Sequence, residues 1–411
     1  MESFFQRAKD ASSIISTLPS AKKVKILNEF ASILEQNIDK IIEENKKDLD
    51  YANSNNLSSA MIDRLLLDEV RINSMAKSIK EIAILKEPVG RVLEGWSVES
   101  GISIQKVSVP IGVIGIIYES RPNVTSDTAS LCFKSGNVAI LKGGKEAYHS
   151  NKIIASLLQS VLEKNSLPKE IISLLPDSSR EGVDKMIKMD KYVDLIIPRG
   201  GEALIRYVNE NSTVPVVKHD KGLCHTYIHK DADIEMAVKV AINAKCRRVG
   251  ICNAMETLLV DEEIAPKVLP LLKAEFDKFN TTLKGCDTTS SIIEVEDATE
   301  EDFDTEYLAN ILSIKIVKDI QEAIAHISKY GSGHSEAIIT NSVKDSEEFL
   351  NRVDAACVYL NASTQFTDGG EFGFGAEVGI STNKLHSRGP MGINDLTTYK
   401  YKIYGNGNTR S

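Results

Sequence analysis

One cysteine stands in a sequence context that suits nucleophilic chemistry. Cys252 lies in CRRVGICNAMETLLV (246–260), where a polar loop with Arg247 and Arg248 leads into an apolar strand. A free thiol has a pKa of about 8.5, and nearby cations or helix-end dipoles raise its thiolate fraction near neutral pH. The alternative role is that of a small buried hydrophobic side chain, which we assign to the other five cysteines. The local pattern leaves both roles open for Cys252.

Two glycine turns follow short apolar runs and could approach a nucleotide. The turn RGGE contains Gly200 and Gly201 and separates the run LIIP from the helical pattern ALIRYV. The turn KGGKEA begins at Lys142, directly after the run VAIL. Backbone N–H groups at such a strand-to-helix turn favour an anion or a nicotinamide. Each turn by itself is only a weak indication of a cofactor site.

Three histidines, His219, His225 and His229, lie close together and raise the question of a zinc site. The segment CHTYIHK lacks the glutamate of an HExxH helix, and its Thr-Tyr-Ile core favours a strand. We therefore predict no metal site, and we expect these histidines to be structural or to contact substrate.

The composition excludes several classes of protein. The 411 residues carry 49 Lys and Arg against 58 Asp and Glu, a net charge of −9, which disfavours binding to nucleic acid or to anionic membranes. The six cysteines contain no CxxC pair, as expected in a reducing compartment. The start of the chain lacks the features of a signal peptide, and the longest apolar run is about half a membrane span. We predict a cytoplasmic protein with no nucleic-acid or membrane partner.

The elements that must position these residues follow a strand–helix–strand rhythm. Apolar residues with helical spacing predict one long helix over residues 21–47. Short apolar runs then alternate with helical segments, which is typical of parallel sheets covered by helices. The predicted strands are residues 111–118, 138–141, 171–174, 195–197, 214–217, 257–260, 314–317, 338–340 and 358–360.

Several longer motifs resemble the aldehyde dehydrogenase superfamily, and in particular its members that reduce glutamyl phosphate. The resemblance covers roughly residues 20–400. Its motifs are YESRPNVTSD (118–127), LKGGKEA (141–147), IIPRGGEALI (196–205), the CNAMETLLV block, HSEAIIT (334–340) and NASTQFTDGGEFGFGAEVGISTNKLHSRGPMG (361–392). The last motif is too long to arise by chance.

The resemblance implies a fold of class α/β, with two Rossmann-like parallel-sheet domains and an oligomerisation arm. It predicts an NADP-binding domain over residues 1–225, interrupted near 97–108 by an oligomerisation strand, and a catalytic domain over 226–360 that carries the Cys252 loop. The tail, 361–411, would return to the oligomerisation element. The segment 97–108 alternates like a strand or hairpin arm, whose open edges would pair with another subunit. We therefore expect a homodimer or homotetramer.

The resemblance also implies a reaction, in which L-glutamyl 5-phosphate is reduced with NADPH to L-glutamate 5-semialdehyde and phosphate. Cys252 would be the nucleophile that forms a thioester, and Asn123 would donate a hydrogen bond to the developing oxyanion. The residues implied in binding NADPH or NADP+ are Lys142, Gly200, Gly201 and Glu306. Whether a glutamate 5-kinase hands over the acyl phosphate directly is left open.

Basic residues in the matched motifs are candidates for holding the anionic substrate. Arg121, Lys384 and Arg388 could bind its phosphate or its α-carboxylate, and the alternative for each is a surface or intersubunit ion pair. His219 aligns where hydrolytic aldehyde dehydrogenases place a glutamate base. The absence of a carboxylate there suits an enzyme that must keep its thioester from water, and His219 is a further candidate for substrate contact.

The chain departs from the family pattern at Gln365, where the family usually has arginine. If that arginine contacts a substrate anion or another subunit, the contact is weakened here. Two alternatives to the implied reaction remain. One is another enzyme of the same fold, either hydrolytic or CoA-acylating, and the other is a catalytically silent scaffold.

Overall fold

The computed structural model describes residues 1–217 and 221–410. Its α-helices are α1 (Glu2–Ile15), α2 (Ser20–Glu35), α3 (Ile38–Ser54), α4 (Ser59–Leu65), α5 (Glu69–Ile84), α6 (Asn123–Lys134), α7 (Tyr148–Lys164), α8 (Arg180–Met186), α9 (Glu202–Asn211), α10 (Ile234–Cys246), α11 (Ala265–Lys278), α12 (Asp287–Ser290), α13 (Glu300–Phe303), α14 (Ile320–Tyr330) and α15 (Val343–Arg352). Its strands are β1 (Val92–Ser97), β2 (Ser103–Pro110), β3 (Val113–Tyr118), β4 (Val138–Lys142), β5 (Ile172–Leu174), β6 (Leu195–Arg199), β7 (Cys224–Ile228), β8 (Met255–Asp261), β9 (Thr282–Gly285), β10 (Glu296–Asp297), β11 (Ile311–Val317), β12 (Ser335–Ile339), β13 (Cys357–Leu360), β14 (Gly379–Ser381), β15 (Gly389–Met391) and β16 (Thr397–Tyr404).

The chain divides into two compact units. Unit 1 contains Met1–Lys218, Gly373–Gly379 and Met391–Ser411, and unit 2 contains His219–Phe372 and Ile380–Pro390. The sequence-based boundary after residue 225 therefore lies a few residues inside unit 2. The first part of the segment that we predicted as a tail also belongs to unit 2.

Unit 1 is built on a four-stranded parallel sheet in the order β5-β4-β3-β6. Strand β3 reads VIGIIY and is buried along its whole length, as expected for a central strand of a covered parallel sheet. Helices α1, α6 and α7 pack on the sheet, and α2 packs on α5, α6 and α7. The sheet thus provides the strand ends that carry Lys142, Gly200 and Gly201, three of the predicted cofactor residues.

The prediction of one helix over residues 21–47 is wrong, because α2 and α3 are separate. Helix α2 ends at Glu35, and the side-chain amide of Asn37 donates to the carbonyl of Ile33 at 2.7 Å. Asn37 has φ −122° and ψ 26°, which is not helical geometry. Asparagine side chains compete with the helical ladder in this way, so the chain turns although the apolar spacing continues.

The predicted strand at residues 214–217 is also wrong. The segment forms a single isolated bridge, between Ile196 of β6 and Val216. Ile196 donates its N–H to the carbonyl of Pro215 at 2.8 Å, and Val217 donates to the carbonyl of Ile196 at 2.9 Å. Because Pro215 has no N–H, a regular ladder cannot form along this segment.

A second sheet in unit 1 joins the predicted arm to the end of the chain. It is antiparallel and three-stranded, in the order β1-β2-β16. The pairs Trp96–Ile104 and Ser97–Ser103 define the β1–β2 hairpin. Strand β16 pairs along β2 from Thr397 opposite Pro110 to Tyr404 opposite Ser103. The end of the chain therefore pairs with β2, within and next to the segment 97–108 that was predicted as an arm.

Unit 2 is built on a seven-stranded parallel sheet in the order β10-β9-β11-β8-β7-β12-β13. Strand β8 is buried throughout and pairs with β11 and β7. Helices α10 and α11 contribute to one apolar cluster with β8, and α14 and α15 contribute to another. The short strands β14 and β15 form a separate two-stranded sheet. Among the described residues, no helix has the length and apolar character needed to span a membrane.

Candidate active site

The loop 247–254 carries Cys252 from the end of α10 to the start of β8 in unit 2. Cys252 is half-buried. Its carbonyl accepts a hydrogen bond from the thiol of buried Cys224 at 3.2 Å. The loop backbone is thus held against the start of β7.

The approach of Gly222 to this loop requires glycine. A Cβ atom built on Gly222 would lie 2.0 Å from the carbonyl oxygen of Cys252, so any side chain there would displace the loop. The N–H of Gly222 donates to Oε1 of Glu306 at 2.9 Å. Glu306 was predicted to bind the nicotinamide ribose. In the structure one of its carboxylate oxygens fixes the backbone that packs on Cys252.

The residue after Cys252 is held by a short segment near residue 365. Asn253 is buried, and its amide donates to the carbonyl of Thr367 at 2.9 Å. The carbonyl of Asn253 accepts from the hydroxyl of Thr364 at 2.7 Å. These bonds join the Cys252 loop to the motif NASTQFTDG, more than 100 positions later in the chain.

A buried ion pair closes the base of the loop. Lys245, near the end of α10, contacts Glu256, the second residue of β8, at 2.5 Å, and neither side chain is exposed. Glu256 also accepts from the N–H of Leu308 at 3.2 Å. Burial raises the pKa of Glu256 to about 7 and lowers the pKa of Lys245, because both charged forms are removed from water. Sequence analysis missed this pair, although Lys245 directly precedes the cysteine motif and Glu256 lies within it.

Asn123 begins α6 in unit 1, directly after the loop that follows β3. Its side-chain amide donates to Oδ2 of Asp127, one turn later, at 3.1 Å. Burial raises the pKa of Asp127 to about 6, against the opposing hydrogen bond from Asn123. Arg121 lies in the preceding loop, next to Ser120, which has a φ of +41°. Asn123 is exposed, with its amide oriented by Asp127.

The carboxyl ends of β4 and β6, on either side of β3 in unit 1, carry three of the predicted cofactor residues, Lys142, Gly200 and Gly201, whereas Glu306 belongs to unit 2. Strand β3 lies between β4 and β6 and pairs Ile117 with Lys142 and Tyr118 with Arg199. Lys142 therefore ends β4 on one side of β3, and Gly200 follows β6 on the other. Ligands of open α/β sheets bind at such strand ends.

Glu119 is a site residue that sequence reasoning missed. It follows β3 and accepts the N–H of Gly201, the residue that precedes α9, at 2.9 Å. A Cβ atom on Gly200 would lie 2.5 Å from Oε2 of Glu119, so a side chain there would displace the Glu119 carboxylate. The position of Glu119 inside the YESRPN motif could have marked it as a candidate site residue.

Glu146 was missed in the same way. Its carboxylate accepts from both the N–H and the hydroxyl of Ser120 at 2.7 Å. These bonds tie the turn KGGKEA to the loop that carries Arg121.

Two cavities adjoin this turn. One contains Lys142, Gly143 and Gly144 in its wall. The other has a volume of about 210 Å³ and is lined by Asp48, Tyr51, Lys145, Tyr148, His149 and Ser178. Tyr148 and Ser178 line both cavities. A cation at a strand end, a glycine turn and an adjoining cavity fit a nicotinamide nucleotide.

The predicted substrate cations of unit 2 share one partner. Arg388 contacts Asp354 at 2.8 Å, and Lys384 contacts the other oxygen of the same carboxylate. These contacts hold the pKa of Asp354 below its usual value. Lys384 and Arg388 therefore both form an ion pair within the chain, which was the alternative to contact with the substrate. His219 lies outside the described residues.

The sequence profile of the aldehyde dehydrogenase family matches residues 1–292 and 283–401. The chain belongs to the aldehyde dehydrogenase family. A gamma-glutamyl phosphate reductase of Sulfurimonas denitrificans is 68% identical over 410 residues, which cover 100% of both chains. The crystal structure of gamma-glutamyl phosphate reductase from Thermotoga maritima is 43% identical with a TM-score of 0.98, and the match covers 100% of this chain and 99% of that chain.

A less similar member of this fold group was solved with a bound nicotinamide cofactor. Glyceraldehyde-3-phosphate dehydrogenase GapN from Methanocaldococcus jannaschii, solved in complex with NADP, is 17% identical with a TM-score of 0.69 over 98% of this chain and 93% of that chain. At this identity the likeness shows the fold alone. The predicted fold class is confirmed, and aldehyde dehydrogenases are enzymes that use a nicotinamide cofactor.

Proposed function

We propose that the chain reduces L-glutamyl 5-phosphate to L-glutamate 5-semialdehyde with NADPH, releasing phosphate. This reaction is the second step of proline synthesis from glutamate. The observation that carries the proposal is the similarity over the whole chain to enzymes named gamma-glutamyl phosphate reductase, at 68% identity for the Sulfurimonas protein. The half-buried Cys252 on its anchored loop supports the proposal.

In the proposed mechanism, the thiolate of Cys252 attacks the acyl carbon of the substrate. A carbon–sulfur bond forms, the carbon–oxygen bond to phosphate breaks, and phosphate leaves with the bonding electrons. When bound, NADPH supplies the hydride that reduces the resulting thioester. The carbon–sulfur bond then breaks, which releases the aldehyde and regenerates the thiolate.

Asn123 is assigned to stabilise charge in this scheme. A hydrogen-bond donor aimed at a developing oxyanion accelerates acyl transfer by about 100-fold or more. The bond from the Asn123 amide to Asp127 uses one of its two N–H groups, so the other N–H remains available to donate. Lys142, Gly200, Gly201 and Glu306 are assigned to the cofactor.

We assign NADPH, rather than NADH, on the basis of the larger of the two cavities. Lys145 and His149 both line it, and the ammonium group of Lys145 can supply positive charge to the 2′-phosphate that distinguishes NADPH. The buried carboxylate of Asp48 is turned toward the start of α7, where it accepts from the N–H groups of His149 and Ser150 at 3.0 and 2.7 Å.

We also propose that the chain forms a homodimer or homotetramer through the β1-β2-β16 sheet. Strand β1 is exposed along its whole length, and β16 is exposed at all but its first residue. Trp96 and Tyr401 are in edge-to-face contact there, with ring centroids 6.1 Å apart. An exposed apolar sheet of this kind is typical of a protein–protein interface.

The experiment that tests the function runs the reaction in reverse. L-glutamate 5-semialdehyde and NADP+ are mixed with the enzyme, with and without inorganic phosphate, and formation of NADPH is followed by its absorbance. We expect turnover that requires both phosphate and Cys252. Cys252→Ala should abolish it, while the control Cys286→Ala, at another half-buried thiol, should retain it.

Each other outcome would contradict the proposal in a recognisable way. NADPH formation without phosphate would indicate a hydrolytic enzyme. Formation that needs coenzyme A in place of phosphate would indicate a CoA-acylating enzyme. No turnover under any condition, with Cys252→Ala and the parent equally inert, would indicate a silent scaffold.

A further inference from the structure

Gln365 bonds to both sides of the turn that leads from α10 into the Cys252 loop. Its side-chain amide nitrogen donates to the carbonyls of Ala244 at 2.8 Å and Arg248 at 3.3 Å. Its amide oxygen accepts from Nη1 of Arg247 at 3.3 Å. All these residues belong to unit 2.

The far end of the Cys252 loop also contacts Gln365. The side chain of Asn253, the neighbour of Cys252, donates to the backbone carbonyl of Gln365 at 3.4 Å. Gln365 is 4% exposed. A side chain so buried, with its polar atoms used within the loop, does not offer a contact to a substrate anion or to another subunit. The contact with a substrate anion or another subunit, which the sequence analysis considered for the family's arginine at this position, is therefore not made by Gln365.

The chemistry of the amide matches this place closely. A glutamine side chain has two N–H donors and one oxygen acceptor, and the three bonds to Ala244, Arg248 and Arg247 use all of these groups. An arginine at 365 could donate to the two carbonyls, but it could not accept from Arg247. It would also place a second positive charge beside the first at low solvent exposure.

We propose that Gln365 and Arg247 form a matched pair that positions the Cys252 loop. Gln365 is a positioning residue that acts through Arg247, Arg248 and Asn253. The proposal rests on the proposed function only for the role of Cys252 in the reaction, because the loop contacts themselves are independent of that role. It predicts that positions 247 and 365 can exchange their cation and their amide. It also predicts that the two positions cannot both hold a cation.

The test compares the parent with Gln365→Arg, Arg247→Gln and the exchange variant that carries both substitutions. The first readout is the rate at which iodoacetamide alkylates Cys252, where the thiolate displaces iodide. Mass spectrometry of the tryptic peptide 249–267, which contains Cys252 as its only cysteine, isolates this rate. The second readout is kcat and KM of the proposed reaction.

We expect Gln365→Arg to shift the alkylation rate by about threefold or more and to lower kcat by about 10-fold, with KM for NADPH unchanged. The exchange variant should return both values to within about threefold of the parent. Gln365→Met keeps the length of the side chain but makes none of its hydrogen bonds. Gln365→Met should change the alkylation rate and kcat as Gln365→Arg does, and Arg247→Gln should not restore them. This variant also tests the proposal if Gln365→Arg does not fold.

Gln321→Arg, an exposed glutamine of α14 in the same unit, is the control for the charge change and should resemble the parent. Parent-like values for Gln365→Arg and Gln365→Met, or an exchange variant no better than Gln365→Arg, would overturn the proposal. If the alkylation rates follow the prediction while none of the proteins turns over glutamate semialdehyde, the positioning proposal stands and the proposed function fails.

Discussion

Lys142 and Lys145 stand three positions apart in one motif, yet they lie in different environments. Lys142 ends a buried strand, and burial lowers its pKa, although Glu146, Glu119 and Asp177 oppose the shift. Lys145 is exposed at the rim of the 210 Å³ cavity. Position along the turn, rather than residue type, therefore separates a half-buried lysine from an exposed lysine that lines a cavity.

Lys145→Glu should shift the cofactor preference of the enzyme toward NADH. A carboxylate repels the 2′-phosphate of NADPH and can accept from the 2′-hydroxyl of NADH, so we expect the ratio of kcat/KM for NADPH over NADH to fall by about 10-fold or more. Steady-state kinetics with both cofactors measures this ratio. Lys188→Glu, the same charge change outside both cavities, should leave the ratio unchanged.

An equal loss of activity with NADPH and NADH in Lys145→Glu would contradict the assignment. Such a result would indicate that Lys145 supports the fold of the turn instead of reading the phosphate.

The element that presents Cys252 is stabilised from both ends. At its base, the buried pair of Lys245 and Glu256 links the end of α10 to the start of β8. Beyond the cysteine, Thr364 and Thr367 bond to Asn253. A loop fixed in this way holds Cys252 at a defined place without a rigid element of its own.

Lys245→Met should destabilise unit 2, and more at high pH than at low pH. Removing one member of a buried ion pair costs about 3–5 kcal/mol when the other member stays charged. The native pKa of Glu256 is already raised to about 7, and loss of the ammonium raises it further. Between the unfolded value of about 4.3 and the raised native value, the folded state binds a proton that the unfolded state lacks, so stability falls as pH rises.

Urea unfolding of the parent and Lys245→Met at pH 5.5 and pH 8.5 measures this difference. The deficit should be larger at pH 8.5, and adding Glu256→Gln, which removes the titration, should make it nearly independent of pH. Lys273→Met, in the surface pair with Asp277 on α11, should cost less than about 1 kcal/mol at either pH. An equal deficit for Lys245→Met at both pH values would show that Glu256 does not protonate.

At the scale of the whole molecule, the three-stranded sheet is the surface that we propose for oligomerisation. Its exposed apolar side chains include Trp96, Tyr401 and Ile403, from the two outer strands. Because both outer strands also leave backbone groups unpaired within the described chain, the sheet can bind another copy through its edge as well as its face.

The variant Trp96→Glu/Tyr401→Glu should dissociate the proposed oligomer. Two negative charges on an apolar contact surface are costly to bury, so light scattering after size exclusion should give the mass of a monomer. Val70→Glu, a change at an exposed apolar residue of α5 in the same unit, should keep the assembly. A parent protein that is already a monomer at micromolar concentration would overturn the proposed interface.

The sequence by itself determined the fold class and the family, and it supplied the prediction that Cys252 is the nucleophile. Buried parallel strands read as continuous apolar runs, so β3, β4, β6 and β8 were visible locally. The family motifs are long enough to be specific. Where a local side chain opposed the pattern, as Asn37 does between α2 and α3, apolar spacing alone was misleading.

The tertiary structure decided which residues hold the site together. Three hydrogen bonds join residues that are far apart in the sequence. They link Gln365 with Arg247, Gly222 with Glu306, and Gly201 with Glu119, at separations of 118, 84 and 82 positions. Periodicity reports only on neighbours within a helix turn or along a strand, so no local pattern marks such pairs. They form because parallel strands and the loops between them bring distant segments of the chain to one edge of each sheet.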